Sequence, residues 1–172
     1  MDNITYRSVE PDDAIILYTW FNDAYICREN NFRAPYLSSH SIRCAIETGA
    51  YSNDTDCYLI FERDHQLLGV GLITSLDRVR RNCEITIVAS DDLPRREATW
   101  LSIGRGLISM CFSELAMHRV YLYAYEHSPE MENLYSELGA VLETVERECI
   151  FRLGRYWDRK LYSMLFQEWS GT

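Results

Sequence analysis

The chain has 172 residues, of which 47% are hydrophobic, and a formal net charge of −9. This length fits one domain with an ample core. The acidic balance argues against a general nucleic-acid-binding protein, which usually carries a basic excess, and it is compatible with a cationic or amine-bearing partner. No apolar run approaches the roughly 18 residues that suggest a membrane span.

The N-terminus and the cysteines bear on the compartment. The opening MDNITYRSVEPDD is polar and acidic, unlike a secretory signal. The six cysteines form no CxxC pair, which favours buried free thiols and a reducing cytoplasm. The four histidines are far apart in sequence, so no metal site is predicted.

The N-terminal part of the chain predicts one strand and one helix. Residues 4–9 alternate like a strand. The following Glu10-Pro11-Asp12-Asp13 places proline and acidic residues in the first turn of a helix that runs to about residue 23. Residues 24–37 show no clear period, and no element is predicted there.

The next segment predicts a second helix and then three strands in succession. Ser38 or Ser39 can cap the helix, and Gly49 closes it. The strands are expected over residues 56–63, 67–76 and 83–90, and a turn at 64–66 joins the first two as a hairpin.

The C-terminal half predicts a long helix over about 97–116, a strand over 118–126, and a short helix over 129–138 that Gly139 ends. Two further strands follow, with a turn at Leu153-Gly154. No repeat, low-complexity tract or linker interrupts the chain, so a single domain, 1–172, is predicted. This order of elements favours an α/β fold with a mixed sheet and helices on both faces.

The stretch LPRREATWLSIGRG, residues 93–106, lies between a predicted buried strand and the long helix. The N-terminus of a helix attracts anions, and arginine pairs well with phosphate oxygens. Arg95 and Arg96 therefore predict a phosphate site. An alternative interpretation is that both arginines are solvated partners of neighbouring carboxylates at Asp91, Asp92 and Glu97.

The C-terminal third carries the most specific pattern, LYxxLGA…E…RE…FRxGRYxD, within NLYSELGAVLETVERECIFRLGRYWDRKLYSMLFQEW. With RSVEPDDAIILYTWFND, QLLGVGLI, CEITIV and ELAMHRVYLYAYE, it resembles the GNAT superfamily of N-acetyltransferases over almost the whole chain, from about Ile4 to Trp169. Within it, the chain is similar to the branch of the ribosomal-protein alanine and spermidine acetyltransferases. The resemblance implies a GNAT fold, whose splayed sheet has parallel fourth and fifth strands that diverge at their C-terminal ends.

The resemblance also implies that acetyl-CoA is the acyl donor and that the loop after the fourth strand binds its pyrophosphate. The favoured register matches the family's Arg/Gln-x-x-Gly-x-Gly/Ala to Arg95, Ala98 and Trp100; an alternative uses Ser102-Ile103-Gly104-Arg105-Gly106. Trp100 departs from glycine, which allows close backbone approach. Ser128 stands where most of the branch has an asparagine that contacts the pantetheine arm. The implied coenzyme-binding residues are Ile87, Val88, Arg95, Arg96, Ala98, Thr99 and Ser128.

Two residues are candidates for proton transfer. Tyr135 matches the family tyrosine that protonates the coenzyme sulfur, and a phenol with a pKa of ~10 suits that donation; without the resemblance it is an ordinary core tyrosine. Glu84 matches an acidic position that can accept the proton of the amine, although it could equally pair with Arg80 or Arg81. The resemblance implies that backbone N–H groups near Ile87 and Val88 polarise the carbonyl.

The acceptor is expected between the first two helices and the C-terminal hairpin. Its candidate contacts are Trp20, Asn22, Arg28, Phe32, Tyr36, Arg152, Tyr156 and Asp158. The aromatic residues among them could hold a sugar, a nucleotide or a peptide end, and the sequence does not choose between these. The acceptor amine is expected to be a small amine, an amino sugar or a protein N-terminus, and the protein is expected to be a monomer or homodimer.

Three functions compete. The first is acetyl transfer from acetyl-CoA to a primary amine, favoured by Tyr135 and Glu84. The second is a GNAT-fold binding or regulatory module without normal acetyl-CoA turnover, and the third is an acyltransferase with another donor, such as a carrier protein. Trp100 and Ser128 favour these two alternatives, because both depart from the family pattern along the path of the coenzyme.

Overall fold

The computed structural model describes residues 4–29, 37–89, 96–126, 128–152 and 154–169. The fold is built on a seven-stranded mixed sheet. Its strands are β1 (Thr5–Ser8), β2 (Cys57–Arg63), β3 (Gln66–Asp77), β4 (Asn82–Ala89), β5 (Arg119–Tyr125), β6 (Val141–Arg152) and β7 (Arg155–Leu165). Its helices are α1 (Ala14–Asn22), α2 (Ala24–Glu29), α3 (Ser39–Glu47), α4 (Arg96–Ser113) and α5 (Pro129–Glu137), and a 3₁₀ turn over Pro11–Asp13 precedes α1. None of the helices among these residues is both long and apolar enough to cross a membrane.

The strand order is β1-β2-β3-β4-β5-β7-β6, and only the central pair, β4 with β5, is parallel. That parallel register starts at Asn82↔Arg119 and ends at Glu84↔Tyr121. Beyond Glu84, β4 continues to pair with β3, and β5 continues to pair with β7 as far as Tyr125. The two strands therefore diverge toward their C-terminal ends, and the predicted splayed GNAT-type sheet is confirmed.

Two clusters of buried side chains cover the two faces of the sheet. Ile85 and Ile87 of β4 pack with α4 and α5 in one cluster, whereas Val88 packs with α1 and α3 in the other. This alternation is the period of two that a strand imposes, and it explains why β4 reads as a continuous apolar run when both of its faces are covered. The helices lie on both faces, as the order of elements predicted.

The short helix α2 was not predicted, because its six residues are too few to show a helical period. A local cap supports it: the carboxylate of Asp23 accepts a hydrogen bond of 2.9 Å from the backbone N–H of Ile26. The side chain of Ile26 is buried in the cluster that contains Val88. Tertiary burial therefore stabilises a segment whose sequence has no helical pattern.

Candidate active site

A cavity of about 190 Å³ lies where β4 and β5 diverge. Glu84 enters it from β4 on the sheet face that Val88 shares, the face of α1 and α3. Tyr135 belongs to the cluster on the opposite face and meets the same cavity from α5. The cavity is lined by Tyr58, Leu72, Thr74, Glu84, Thr86, Tyr123, Tyr125 and Tyr135.

Tyr135 is held on α5, which starts with Pro129 after Ser128 and ends before Gly139, where φ is +89°. Its side chain is buried, and its hydroxyl donates a hydrogen bond of 3.3 Å to the carbonyl oxygen of Tyr123. Burial raises the pKa of Tyr135 far above the ordinary value, and Tyr125, Glu84 and Tyr162 raise it further. The phenol therefore carries its proton throughout the physiological pH range.

Glu84 is the carboxylate of the cavity. Burial raises the pKa of Glu84, and the positive charge of Arg159 opposes that shift. The pairing with Arg80 or Arg81 that the sequence left open does not form: Arg80 lies 3.6 Å from Asp77, and Arg81 donates to the carbonyl of Ala116 at 2.7 Å. A carboxylate with a raised pKa and without these partners has the character of a general base.

The end of β4 offers an open backbone edge to this cavity. Ile87 and Val88 pair with Gly71 and Val70 of β3 on one side. On the other side, the described register with β5 ends at Glu84, so the edge from Ile85 to Ala89 has no strand beside it there. Such an edge can bind an extended ligand through main-chain hydrogen bonds.

Trp100 lies in the first turns of α4 and is only 4% exposed, so its indole points into the core. The indole stacks on Tyr25 of α2, with ring centroids 6.4 Å apart and planes inclined by 22°. It also borders a cavity of about 170 Å³ between α4 and α5, lined by Glu97, Trp100, Glu130, Asn133, Leu134 and Glu137. The indole is therefore a core anchor that also lines this cavity.

The alternative register for the phosphate loop, Ser102 to Gly106, is wrong, because these residues lie within α4. The two glycines serve packing instead. A Cβ on Gly104 would lie 2.7 Å from Leu138 Cδ1, and one on Gly106 would lie 2.9 Å from Phe61 Cε1. Both positions let α4 approach its neighbours more closely than a larger residue allows.

The other predicted donor residues are placed as follows. Ala98 is exposed in the first turn of α4, whereas the side chain of Thr99 is buried, so a ligand at this helix start can reach only its backbone. Ser128 is buried, and its backbone N–H donates to the carbonyl of Tyr125 at 2.7 Å. Arg95 lies outside the described residues, and of Arg96 only the backbone is described.

The predicted acceptor residues are only partly brought together. Trp20 lies in the core, 4% exposed, so its indole packs inside the protein and does not line an open cleft. Asn22 is occupied by backbone contacts, because its side chain donates to the carbonyl of Leu37 at 2.9 Å and accepts from the N–H of Leu37 at 3.1 Å. Phe32 and Tyr36 lie outside the described residues, as does the side chain of Arg28.

The C-terminal hairpin does reach the N-terminal helices. Arg152, near its tip, donates a hydrogen bond of 2.6 Å to the carbonyl of Cys27 on α2. Tyr156 is 60% exposed at the same tip and packs edge-on against Phe151. Asp158 accepts a hydrogen bond from the backbone N–H of Glu148, so its carboxylate shapes the hairpin.

The tyrosines other than Tyr135 that line the cavity and the position of Arg159 were not predicted from the sequence. The alternation in RVYLYAY predicts one strand face that carries Tyr121, Tyr123 and Tyr125, and this was the available signal. Tyr58 comes from β2 and Arg159 from β7, and only the strand order brings them to the same place.

A parallel β4–β5 pair that opens toward the starts of α4 and α5 is the architecture of the GNAT acyltransferases, and this chain has that fold. No protein-family model matches the chain. The chain is 24% identical over 157 residues to the spermidine N(1)-acetyltransferase of Vibrio cholerae, and the match covers 91% of this chain and 90% of that protein.

Solved structures agree with this assignment of the fold. A spermidine N-acetyltransferase from Vibrio cholerae in complex with CoA and spermine matches with a TM-score of 0.83 and 24% identity, over 96% of both chains. A probable acetyltransferase matches with a TM-score of 0.85 and 24% identity, over 98% of this chain and 96% of the other. The predicted resemblance to the spermidine acetyltransferase branch is confirmed.

Proposed function

We propose that this chain is an N-acetyltransferase that moves an acetyl group from acetyl-CoA to a primary amine. The observation that carries the proposal is the meeting of Glu84 and Tyr135 on one cavity at the β4–β5 divergence. The two groups reach it from opposite sheet faces, so one can serve the acceptor while the other serves the leaving group.

Each step of this transfer has a matching group. Glu84 accepts a proton from the amine, directly or through a water, and the neutral nitrogen forms a bond to the thioester carbonyl carbon. Backbone N–H groups near Ile87 and Val88 stabilise the negative charge that develops on the carbonyl oxygen. The carbon–sulfur bond then breaks, and Tyr135 donates its proton to the departing thiolate. The bonded nitrogen loses its remaining extra proton, and the uptake of that proton, directly or through water, returns the phenol of Tyr135 to its neutral form. The products are the N-acetylated amine and CoA.

The donor is proposed to bind along the open edge of β4 and across the start of α4. Ala98 and Thr99 have backbone N–H groups in the first turn of α4, and Arg95 and Arg96 are proposed to supply guanidinium groups for the pyrophosphate. Ser128, at the start of α5, is proposed to face the pantetheine arm. Because side-chain charge makes up much of this site, donor affinity is expected to fall as ionic strength rises.

The acceptor is proposed to be a cationic amine. Tyr58, Tyr123 and Tyr125 line the cavity around Glu84, and aromatic rings attract ammonium groups. The net charge of −9 favours the same class of partner. Spermidine and spermine are the first acceptors to test, since the similar proteins act on or bind them. Arg28, Phe32, Tyr36 and Tyr156 stay proposed contacts for the distal part of the acceptor.

A second candidate is a GNAT-fold binding or regulatory module. Three glutamates, Glu97, Glu130 and Glu137, line the groove between α4 and α5, and carboxylates there oppose the phosphates of a coenzyme. The same observation is compatible with catalysis from a different acyl donor.

Calorimetric titration with acetyl-CoA and CoA separates these candidates. Clear micromolar binding, together with release of free CoA thiol when spermidine is added, supports the proposed reaction. A panel with an amino sugar and an alanine-terminated peptide then ranks the acceptor classes. No binding at millimolar coenzyme would instead favour the binding module, and binding without release in the presence of any acceptor would exclude the proposed transfer.

A further inference from the structure

One face of the sheet carries a row of interacting side chains across four strands. The register places Glu84 beside Tyr121, Tyr125 beside Arg159, and Arg159 beside Glu146. Residues directly opposite one another share a face, as do alternate residues along a strand. Glu84, Tyr123, Arg159 and Glu146 therefore follow one another from β4 through β5 and β7 to β6 on the same side of the sheet.

Arg159 is held in this row by two contacts. Its guanidinium carbon lies 3.9 Å from the centroid of the Tyr123 ring, and its Nε lies 2.5 Å from a carboxylate oxygen of Glu146. Its side chain is 28% exposed, so solvent screens its charge only in part. The ring beneath it, that of Tyr123, is a wall of the cavity that contains Glu84.

Among the described residues around Glu84, Arg159 supplies the positive charge. The titratable groups that face this carboxylate are Tyr58 of β2, Tyr121, Tyr123 and Tyr125 of β5, Tyr135 of α5 and Arg159 of β7. Burial raises the pKa of Tyr58 to about 12, and it raises the pKa values of Tyr121, Tyr123 and Tyr135 as well, so these phenols are neutral. Glu146 lies beyond Arg159 and pairs with it.

We propose that Arg159 is a positioning residue of the active site: from the face of Tyr123 it keeps Glu84 ionised and therefore able to accept a proton from the attacking amine. This role rests on the proposed acetyl transfer. Burial alone favours the neutral acid, which cannot act as a base, and a fixed opposite charge restores the carboxylate. The contact with Glu146 keeps the guanidinium on the tyrosine ring instead of against Glu84, so Glu84 stays available to the acceptor.

The test compares wild type with Arg159→Met, Arg159→Lys and Arg155→Met. The first measurement is a carbon-13 NMR titration of the Glu84 carboxyl without any substrate, with the signal assigned by comparison with Glu84→Gln. The second is the pH profile of kcat/KM with acetyl-CoA and spermidine. Arg159→Met is expected to move the Glu84 midpoint and the acidic limb of the profile upward by about one pH unit, because the removed charge stabilised the carboxylate.

The two other variants are matched controls. Arg159→Lys keeps the charge and is expected to restore most of the wild-type midpoint. Arg155 is also an arginine of β7 stacked on an aromatic ring, 3.3 Å from the centroid of Trp157, but it lies at the hairpin end and not at the cavity. Arg155→Met is therefore expected to leave both measurements unchanged.

The outcomes are distinguishable. An unchanged Glu84 midpoint in Arg159→Met would overturn the role of Arg159, whatever the activity. A midpoint that moves while the acidic limb stays in place would also overturn it, because Glu84 would then not be the base. Failure of the wild type to acetylate any amine would refute the proposed function, and the NMR titration would still decide whether Arg159 governs the ionisation of Glu84.

Discussion

The hydroxyl of Tyr135 on α5 donates a hydrogen bond of 3.3 Å to the carbonyl oxygen of Tyr123 on β5, beyond Tyr121, the last residue of β5 that pairs with β4. This bond is long for an O–H donor, so little free energy is lost when the hydroxyl turns toward another acceptor. The sulfur atom of a ligand that is bound where β4 and β5 diverge would be such an acceptor. The protonated phenol of Tyr135 therefore lies beside the cavity, where it can donate its proton to a ligand.

Replacing Tyr135 by phenylalanine is expected to lower turnover by roughly 10²–10⁴-fold, because the thiolate would leave without its proton donor. The affinity for acetyl-CoA should change little, since the ring and its packing remain. Release of CoA thiol and calorimetric titration measure the two quantities. Tyr162→Phe is the matched control, since its ring lies 5.7 Å from that of Tyr135 and is also buried. Equal turnover in both variants would assign the proton donation to another group.

Replacing Glu84 by glutamine is expected to lower activity and raise stability at neutral pH. Since burial raises its pKa in the folded protein, Glu84 contributes stability that is fully present below its ordinary pKa and is lost as pH rises through the raised value. Glutamine stays neutral at every pH and avoids that loss. The melting temperature of Glu84→Gln should therefore exceed that of wild type at pH ~7 and match it near pH ~4.

Glu47→Gln is the control for this comparison, because Glu47 is an exposed carboxylate on α3. Its melting temperature should follow that of wild type at both pH values. If Glu84→Gln were less stable than wild type at neutral pH, the folded protein would instead stabilise the ionised carboxylate of Glu84.

Truncating Trp100 to alanine is expected to reduce the free energy of unfolding by about 3–5 kcal/mol, as other removals of a buried aromatic ring do. The indole fills space between α4 and Tyr25, and alanine would leave much of that volume empty. Urea unfolding measures the change, and Trp100→Phe should lose less because it keeps an aromatic ring. Tighter CoA binding in Trp100→Gly without a loss of stability would instead mean that the indole blocks the donor.

Replacing Gly69 by alanine is expected to disturb the end of β4, where the donor is proposed to bind. A Cβ there would lie 2.3 Å from the carbonyl oxygen of Val88 and 2.9 Å from Ala89 Cα, so the backbone of β4 itself must move. Gly69→Ala should lower the free energy of unfolding by about 1–3 kcal/mol and should weaken CoA binding. Urea unfolding and calorimetric titration provide the two measurements.

Gly104→Ala is the comparison for that variant. Its new Cβ would meet the ends of the Leu138 and Ile87 side chains, which can turn away, and alanine favours a helix by about 1 kcal/mol over glycine. Near-wild-type stability and CoA affinity are expected. If both alanine variants bound CoA like wild type, the end of β4 would not be part of the donor site.

Local features of the fold were predictable because neighbouring residues alone produce them. The side chain of Ser38 caps α3 by accepting from the N–H of Ser41 at 3.0 Å, and Gly139 ends α5 with a positive φ. The turn between β2 and β3 has Asp64 and His65 at positive φ, residue types that favour turns or tolerate this conformation. In each case a few adjacent residues decide the backbone conformation.

The candidate site was predictable only in part. Tyr135 and Glu84 were chosen for their place in a family pattern, and the structure brings both to one cavity. The direction of the Trp100 indole was not predictable, because a residue in the first turns of a helix can face either the core or the solvent. The contact between Asn22 and Leu37 joins residues that are 15 positions apart in the sequence, so no local pattern predicts it.

Apart from α2, the sequence by itself determined the order of strands and helices, their caps and turns, and the apolar faces that they must bury. These features depend on periodicity and on contacts between residues close along the chain. Tertiary structure decided where β4 leaves β5, that Tyr58 joins Glu84 and Tyr135 around one cavity, that Arg159 lies over the ring of Tyr123, and that Trp100 is a core anchor. These features depend on the register between strands that are distant in sequence and on the packing of helices against both faces of the sheet. Many sequence patterns satisfy the same local rules, and only the packed fold selects which side chains meet.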